Sequence, residues 1–171
     1  MSTWLFGYGS LVWRPDFPYL RAESGYVRGW ARRFWQASHD HRGVPEAPGR
    51  VVTLVRDPAS ICWGRVYEID PEVWENVARG LDHREKDGYA RHGERVWLSD
   101  DTTVDALVYV ATPDNPSFLG DAPLEAIAAQ VRGARGPSGS NVEYVIELAR
   151  ALRAMGAADP HVEALAEAVR S

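Results

Sequence analysis

Apolar positions in the first two thirds of the chain alternate or run in short blocks. In the last third they recur every three or four residues. The first pattern predicts strands and the second helices. Residues 3–9 read as a short buried strand that stops at Gly9. Pro15 and Pro18 keep the next stretch irregular. The segment from Gly25 to Ser38 carries Tyr26, Trp30, Phe34 and Trp35 interleaved with Arg28, Arg32 and Arg33 and is read as strand. His39 to Gly49 is loop. Two strands follow, Arg50–Val55 and Ile61–Ile69, separated by Asp57-Pro58-Ala59-Ser60; both are rich in β-branched and aromatic residues. Asp70-Pro71 is a helix start, with Val73, Val77 and Leu81 at helical spacing behind it. Strands at Glu94–Leu98 and Val104–Ala111 come next. After them Leu124, Ile127, Ala128 and Val131 form one apolar stripe. Ser140-x-x-Glu143 reads as a capping box after the Gly133–Gly139 loop, for a helix ending near Gly156; Asp159-Pro160 opens a final helix. Strands with one inserted helix, followed by helices, argue for an α+β fold, and no repeat or linker divides residues 1–171 into more than one domain.

Composition narrows the function classes. A net charge of −5 argues against a nucleic-acid partner. No apolar run reaches the roughly 20 residues that span a bilayer, so no membrane partner is expected. The N-terminus lacks the basic and apolar blocks of a secretion signal. The lone Cys62 excludes an internal disulfide and a Cys-rich zinc site, and it sits in an apolar strand pattern that reads as core rather than as a nucleophile. The expected location is the cytoplasm. Seven tryptophans point to a dense aromatic core or an aromatic-lined pocket.

Three motifs carry candidate chemistry. In Gly7-Tyr8-Gly9-Ser10-Leu11, two glycines let the backbone turn sharply and present bare N–H groups to an anion; on spacing alone, a tight turn ending a strand is the commoner reading. The segment is neither a Walker loop nor a full dinucleotide fingerprint, and Ser10 is not in a nucleophile elbow. Ser38-His39-Asp40-His41-Arg42 invites a metal, but the other histidines are scattered and a polar loop is the default. The knot Asp82-His83-Arg84-Glu85-Lys86-Asp87-Gly88-Tyr89 is either a solvated helix end or the seat of a working carboxylate. Glu85 is the candidate, because partial desolvation there would raise its pKa toward neutrality.

Four blocks, in order, resemble the ChaC family of glutathione-specific γ-glutamylcyclotransferases: Phe6-Gly7-Tyr8-Gly9-Ser10-Leu11-Val12-Trp13; Arg42-Gly43-x-Pro45-Glu46-x-Pro48-Gly49-Arg50-Val51-Val52-Thr53-Leu54; Asp82-x-Arg84-Glu85-Lys86-x-Gly88-Tyr89; and Gly136-x-Ser138-Gly139-x-Asn141-x-Glu143-Tyr144. They span the chain nearly end to end. The resemblance implies a γ-glutamylcyclotransferase-like fold, a small mixed β-barrel with surrounding helices. It also implies cleavage of glutathione to 5-oxoproline and Cys-Gly, with no metal or cofactor. Glu85 matches the family's catalytic glutamate, and Tyr8, Gly9, Ser10 and Leu11 match its substrate clamp. Tyr144 stands where related cyclotransferases place a tyrosine near the site. Charge alone nominates Arg42 and Arg50 as partners of the glycyl carboxylate. His83 departs from the aromatic residue more usual in the family, either as a plain surface replacement or as a modulator of Glu85. Two alternatives stay open: the same chemistry on other γ-glutamyl amino acids or γ-glutamylamines, and a non-catalytic binder of γ-glutamyl ligands.

Overall fold

The alternating segments form five strands that close on themselves. The computed structural model describes residues 2–84 and 89–170. Strands β1 (Thr3–Gly7), β2 (Arg21–Ser38), β3 (Gly49–Ile69), β4 (Tyr89–Leu98) and β5 (Thr103–Ala111) make a closed barrel in the order β1-β3-β2-β4-β5. Neighbours are antiparallel except at the closure, where β1 runs parallel to β5, with Trp4 opposite Ala106 and Leu5 opposite Leu107. Helix α1 (Pro71–Arg84) lies between β3 and β4. Helices α2 (Leu124–Arg132), α3 (Asn141–Ala154) and α4 (Pro160–Arg170) follow the barrel. The arrangement is the expected α+β barrel with surrounding helices.

Period-two alternation on β1 sends its side chains to two cores. Phe6 joins Phe34, Val66 and the apolar stripes of α2, α3 and α4, whereas Leu5 packs with Tyr67, Ile69, Val77 and Leu81 under α1. The helix starts follow their sequence signals. Asp70 Oδ1 accepts the Glu72 N–H at 2.9 Å, Ser140 Oγ accepts the Glu143 N–H at 3.1 Å, and Asp159 Oδ1 accepts those of His161 and Val162.

Several boundaries differ from the sequence reading. The first strand ends at Gly7, and a 3-10 turn, Ser10–Val12, follows. The two strands expected on either side of Asp57–Ser60 are one, Gly49–Ile69. The register passes from Arg28↔Ile61 to Trp30↔Arg56, so the turn-forming residues make an excursion opposite Gly29, which has φ +80°. Asp57 closes the excursion on itself by accepting the Ala59 N–H and the Ser60 hydroxyl, and pairing with β2 then resumes. β4 begins at Tyr89 rather than Glu94. The Gly133–Gly139 loop contains a small hairpin, β6 (Arg135–Gly136) and β7 (Gly139–Ser140).

One buried cluster ties barrel to helices. Arg32 on β2 is 1 % exposed and donates from Nε to the Tyr8 carbonyl at 2.8 Å, from Nη1 to Asp159 Oδ2 at 2.8 Å, and from Nη2 to the Trp63 carbonyl. Beside it, His161 Nε2 accepts the Phe34 N–H at 3.1 Å, which requires an unprotonated nitrogen. Burial, assisted by Arg33 and Arg32 and opposed by Asp159, lowers the His161 pKa to about 4 from its usual 6.5. Below the unfolded value the unfolded chain takes up a proton that the native imidazole refuses. This contribution to stability is therefore intact above pH 6.5 and is lost progressively as pH falls toward 4. His161→Gln, which still offers an acceptor to Phe34, is expected to show a smaller fall in Tm than wild type between about pH 7.5 and about pH 4.5; differential scanning calorimetry across that range checks it.

Candidate active site

A cavity of about 830 Å³ opens where the 3-10 turn, the C-terminal half of α1, the 39–49 loop and the N-terminus of α3 converge. Its wall includes six of the residues nominated from sequence: Tyr8, Gly9, Ser10, Leu11, Arg42 and Tyr144. β1 delivers Tyr8–Leu11 to this point. As in any helical first turn, the leading N–H groups of the 3-10 turn have no acceptor within the turn. Gly9 is required by close approach: a Cβ there would lie 2.9 Å from Tyr144 Oη and 3.0 Å from Val52 Cγ2.

Tyr144, in the first turn of α3, accepts the Val52 N–H at 3.3 Å and packs edge-on against Trp13 and Phe34. Arg42 lies 5.6 Å from the Tyr144 ring centre, and its Nη1 donates to the Ser140 carbonyl at 3.1 Å and to Glu143 Oε1 at 3.0 Å. It lines the cavity while holding the start of α3. The capping-box glutamate thus spends its carboxylate on Arg42, and Ser140 alone makes the backbone cap.

Arg50 is placed elsewhere. It is buried and absent from the cavity wall. Its Nε donates to Gln130 Oε1 at 2.7 Å, its Nη1 donates to the Phe34 and Gly120 carbonyls, and Asn141 brackets its peptide through both N–H and C=O. Burial pulls its pKa below the usual arginine value. Its contacts are those of a strut between β3, α2 and α3, not of a carboxylate receptor. Glu85 lies outside the described residues. His83 is exposed and lines the cavity. His39 and Asp40 do not gather a ligand set: among the described residues no three His, Cys, Asp or Glu side chains converge to hold a metal.

The structure adds Tyr109, which the sequence did not single out, and gives several residues of the motifs contacts that their spacing did not expose. Tyr109 donates to Asp82 Oδ1 at 2.5 Å, and its carbonyl accepts from the Tyr8 hydroxyl at 2.5 Å. Tyr89 donates to the Val52 carbonyl at 2.9 Å. Arg84 donates from Nη2 to Ser10 Oγ, joining the end of α1 to the 3-10 turn. His41 bridges the Arg84 carbonyl and Ser138 Oγ. Tyr89, Arg84 and Ser138 sat inside the quoted blocks. Nothing in its strand pattern distinguished Tyr109 from a core aromatic. The wall is therefore rich in tyrosine and arginine around a glycine-hinged turn.

The model of the family described as ChaC-like protein matches residues 3–171. This chain belongs to that family. It is 46% identical over 174 residues to glutathione-specific gamma-glutamylcyclotransferase 1 of Homo sapiens, a match covering 98% of this chain and 78% of that one. It is 36% identical to the glutathione-specific gamma-glutamylcyclotransferase of Schizosaccharomyces pombe, over 99% of this chain and 93% of that one. Among solved structures, a gamma-glutamyl cyclotransferase specific to glutathione from yeast superposes with a TM-score of 0.92 at 32% identity, covering 99% of this chain and 96% of that one. A more distant gamma-glutamyl cyclotransferase, 14% identical with a TM-score of 0.60 and covering 96% of this chain and 86% of that one, shares the fold.

In this ChaC-like chain the packing at Gly9 is directly testable. Gly9→Ala forces the Tyr144 hydroxyl and Val52 apart and is expected to cost about 1–3 kcal/mol. Removing the hydroxyl in Gly9→Ala/Tyr144→Phe should recover part of that loss. Urea unfolding of the two single variants and the double variant measures the coupling; additive effects would show that the two positions do not press on each other.

Proposed function

We propose that this chain cleaves glutathione to 5-oxoproline and Cys-Gly. The observation that carries the proposal is the 46% identity, over 98% of the chain, to a relative named for that specificity. The cavity supports it, because the Tyr8–Leu11 turn on which the family resemblance rests lines its wall. In this reading the chain acts as one catalytic domain.

The reaction is an intramolecular aminolysis. The α-amino nitrogen of the γ-glutamyl unit attacks its own side-chain amide carbon, a five-membered lactam closes, and the C–N bond to cysteine breaks. The nucleophile arrives with the substrate, so no covalent enzyme intermediate is required. The protein's task is to hold the glutamyl unit folded in a near-attack geometry, where intramolecular reactions gain most. Backbone N–H groups of the Tyr8–Leu11 turn take the α-carboxylate. Glu85 takes one proton from the α-ammonium to free the nucleophile. As the lactam closes its nitrogen gives up a second, and both end on the departing nitrogen, which leaves as the cysteinyl ammonium, so the proton count closes within one turnover. Arg42 stiffens the wall through Ser140 and Glu143. No described helix is long and apolar enough to cross a membrane, and the proposed site of action is the cytoplasm.

Incubating the purified protein with reduced glutathione and following both products by mass spectrometry tests the proposal. Wild type is expected to release 5-oxoproline and Cys-Gly in equal amounts. Glu85→Gln is expected to lose roughly 10²–10⁴-fold in kcat with an unchanged circular dichroism spectrum. Turnover of γ-glutamyl amino acids without turnover of glutathione would replace the substrate and keep the chemistry. Near-normal turnover by Glu85→Gln would remove the proton shuttle.

A further inference from the structure

His41 belongs to a loop whose polar composition first suggested a metal, and the structure gives it a different occupation. Its imidazole lines the cavity and touches two elements far apart in sequence. Nε2 lies 3.1 Å from the carbonyl oxygen of Arg84, and Nδ1 lies 3.4 Å from Ser138 Oγ. A carbonyl oxygen only accepts, so the proton on Nε2 donates to Arg84. In the neutral ring, Nδ1 then accepts from the Ser138 hydroxyl. The Asp40 carboxylate, 3.7 Å from Nε2, favours the same protonation at Nε2. The Ser138 side is reinforced by the backbone, where the Ser138 N–H donates to the His41 carbonyl at 2.9 Å.

Arg84 is the last described residue of α1. The donor that His41 brings to its carbonyl comes from outside the helix. The other end of the same residue is also held, by the bond from Arg84 Nη2 to Ser10 Oγ in the Tyr8–Leu11 turn. Arg84 is thus gripped by its carbonyl and by its guanidinium, from two walls of one cavity. Its carbonyl belongs to the peptide that leads into Glu85.

We propose that His41 is a positioning residue for the acid/base: by holding the Arg84 carbonyl it fixes the peptide from which Glu85 departs relative to the Tyr8–Leu11 turn. This rests on the cyclotransferase reading above. A base set by such a latch should lose proton-transfer geometry before it loses substrate affinity, because misplacement near a reacting centre acts on the chemical step.

Three substitutions separate this role from simple packing. His41→Ala removes the latch. His41→Gln keeps an amide N–H near the position of Nε2. His41→Asn keeps only a nitrogen near the position of Nδ1, within reach of Ser138 but not of Arg84. For glutathione turnover we expect kcat to fall about tenfold or more in His41→Ala and His41→Asn, with KM within about twofold of wild type, and His41→Gln to recover most of the loss. Hydrogen exchange of the amides in the last turn of α1 should follow the same order, faster in the Ala and Asn variants and near wild type in Gln. Recovery by Asn equal to that by Gln would overturn the proposal. So would a raised KM at unchanged kcat, or unaltered exchange in His41→Ala. A wild type that makes no 5-oxoproline would remove the function proposed above, and the exchange pattern would then decide the latch by itself.

Discussion

The buried guanidinium of Arg32 is the constraint on which the rest of this architecture depends. Taking such a cation out of water costs several kcal/mol unless its donors are all engaged. Here its three nitrogens reach acceptors on three different elements: the Tyr8 carbonyl after β1, the Trp63 carbonyl on β3, and Asp159 at the start of α4. None of those acceptors is positioned by local sequence. The cation is stable only when barrel and helices have come together, so the bond that orders the Tyr8 peptide is also a report that the last helix has docked. Asp159 divides its work, with one oxygen capping α4 and the other holding Arg32.

Around the cavity the same economy recurs. Functional segments are held by side chains whose other ends serve the fold. Tyr144 packs against Trp13 and Phe34 while its hydroxyl meets the Val52 N–H. Arg42 braces the first turn of α3. Arg84, on α1, reaches Ser10. The reaction proposed above, whose nucleophile is part of the substrate, asks for shape and one proton carrier more than for reactive side chains. A wall of tyrosines and arginines stiffened from behind suits that demand.

Much of this was legible in the chain, for reasons that can be named. Asp70-Pro71 and Ser140 marked helix starts because capping is local chemistry, read within three or four residues. The excursion at Asp57–Ser60 was misread as a break because its turn chemistry is also local, whereas the resumption of pairing opposite Gly29 depends on a strand some thirty residues away. Arg42 and Arg50 show the limit for sites. They stand eight residues apart in one block with the same charge, yet only Arg42 lines the cavity. What buries Arg50 is Gln130 and Asn141, long-range partners that no spacing rule exposes. Glu85 drew attention as a carboxylate at a predicted helix end, but the catalytic role proposed for it rests on resemblance rather than on pattern.

The parallel closure of the barrel has a temporal meaning. β1 precedes the other barrel strands in the chain and carries the Tyr8–Leu11 turn at its end, yet one of its two neighbours, β5, lies about a hundred residues downstream. Pairings of such separation are slow, because a long loop must be closed before any contact rewards it. A nascent chain that has emerged only as far as α1 already contains the turn and its β3 neighbour but lacks β5, which pairs with Trp4 and Leu5 and whose Tyr109 carbonyl takes the Tyr8 hydroxyl. The barrel seam beside the turn therefore waits for later synthesis, and a cavity whose wall includes Tyr109 and Tyr144 cannot be complete before α3 has been made.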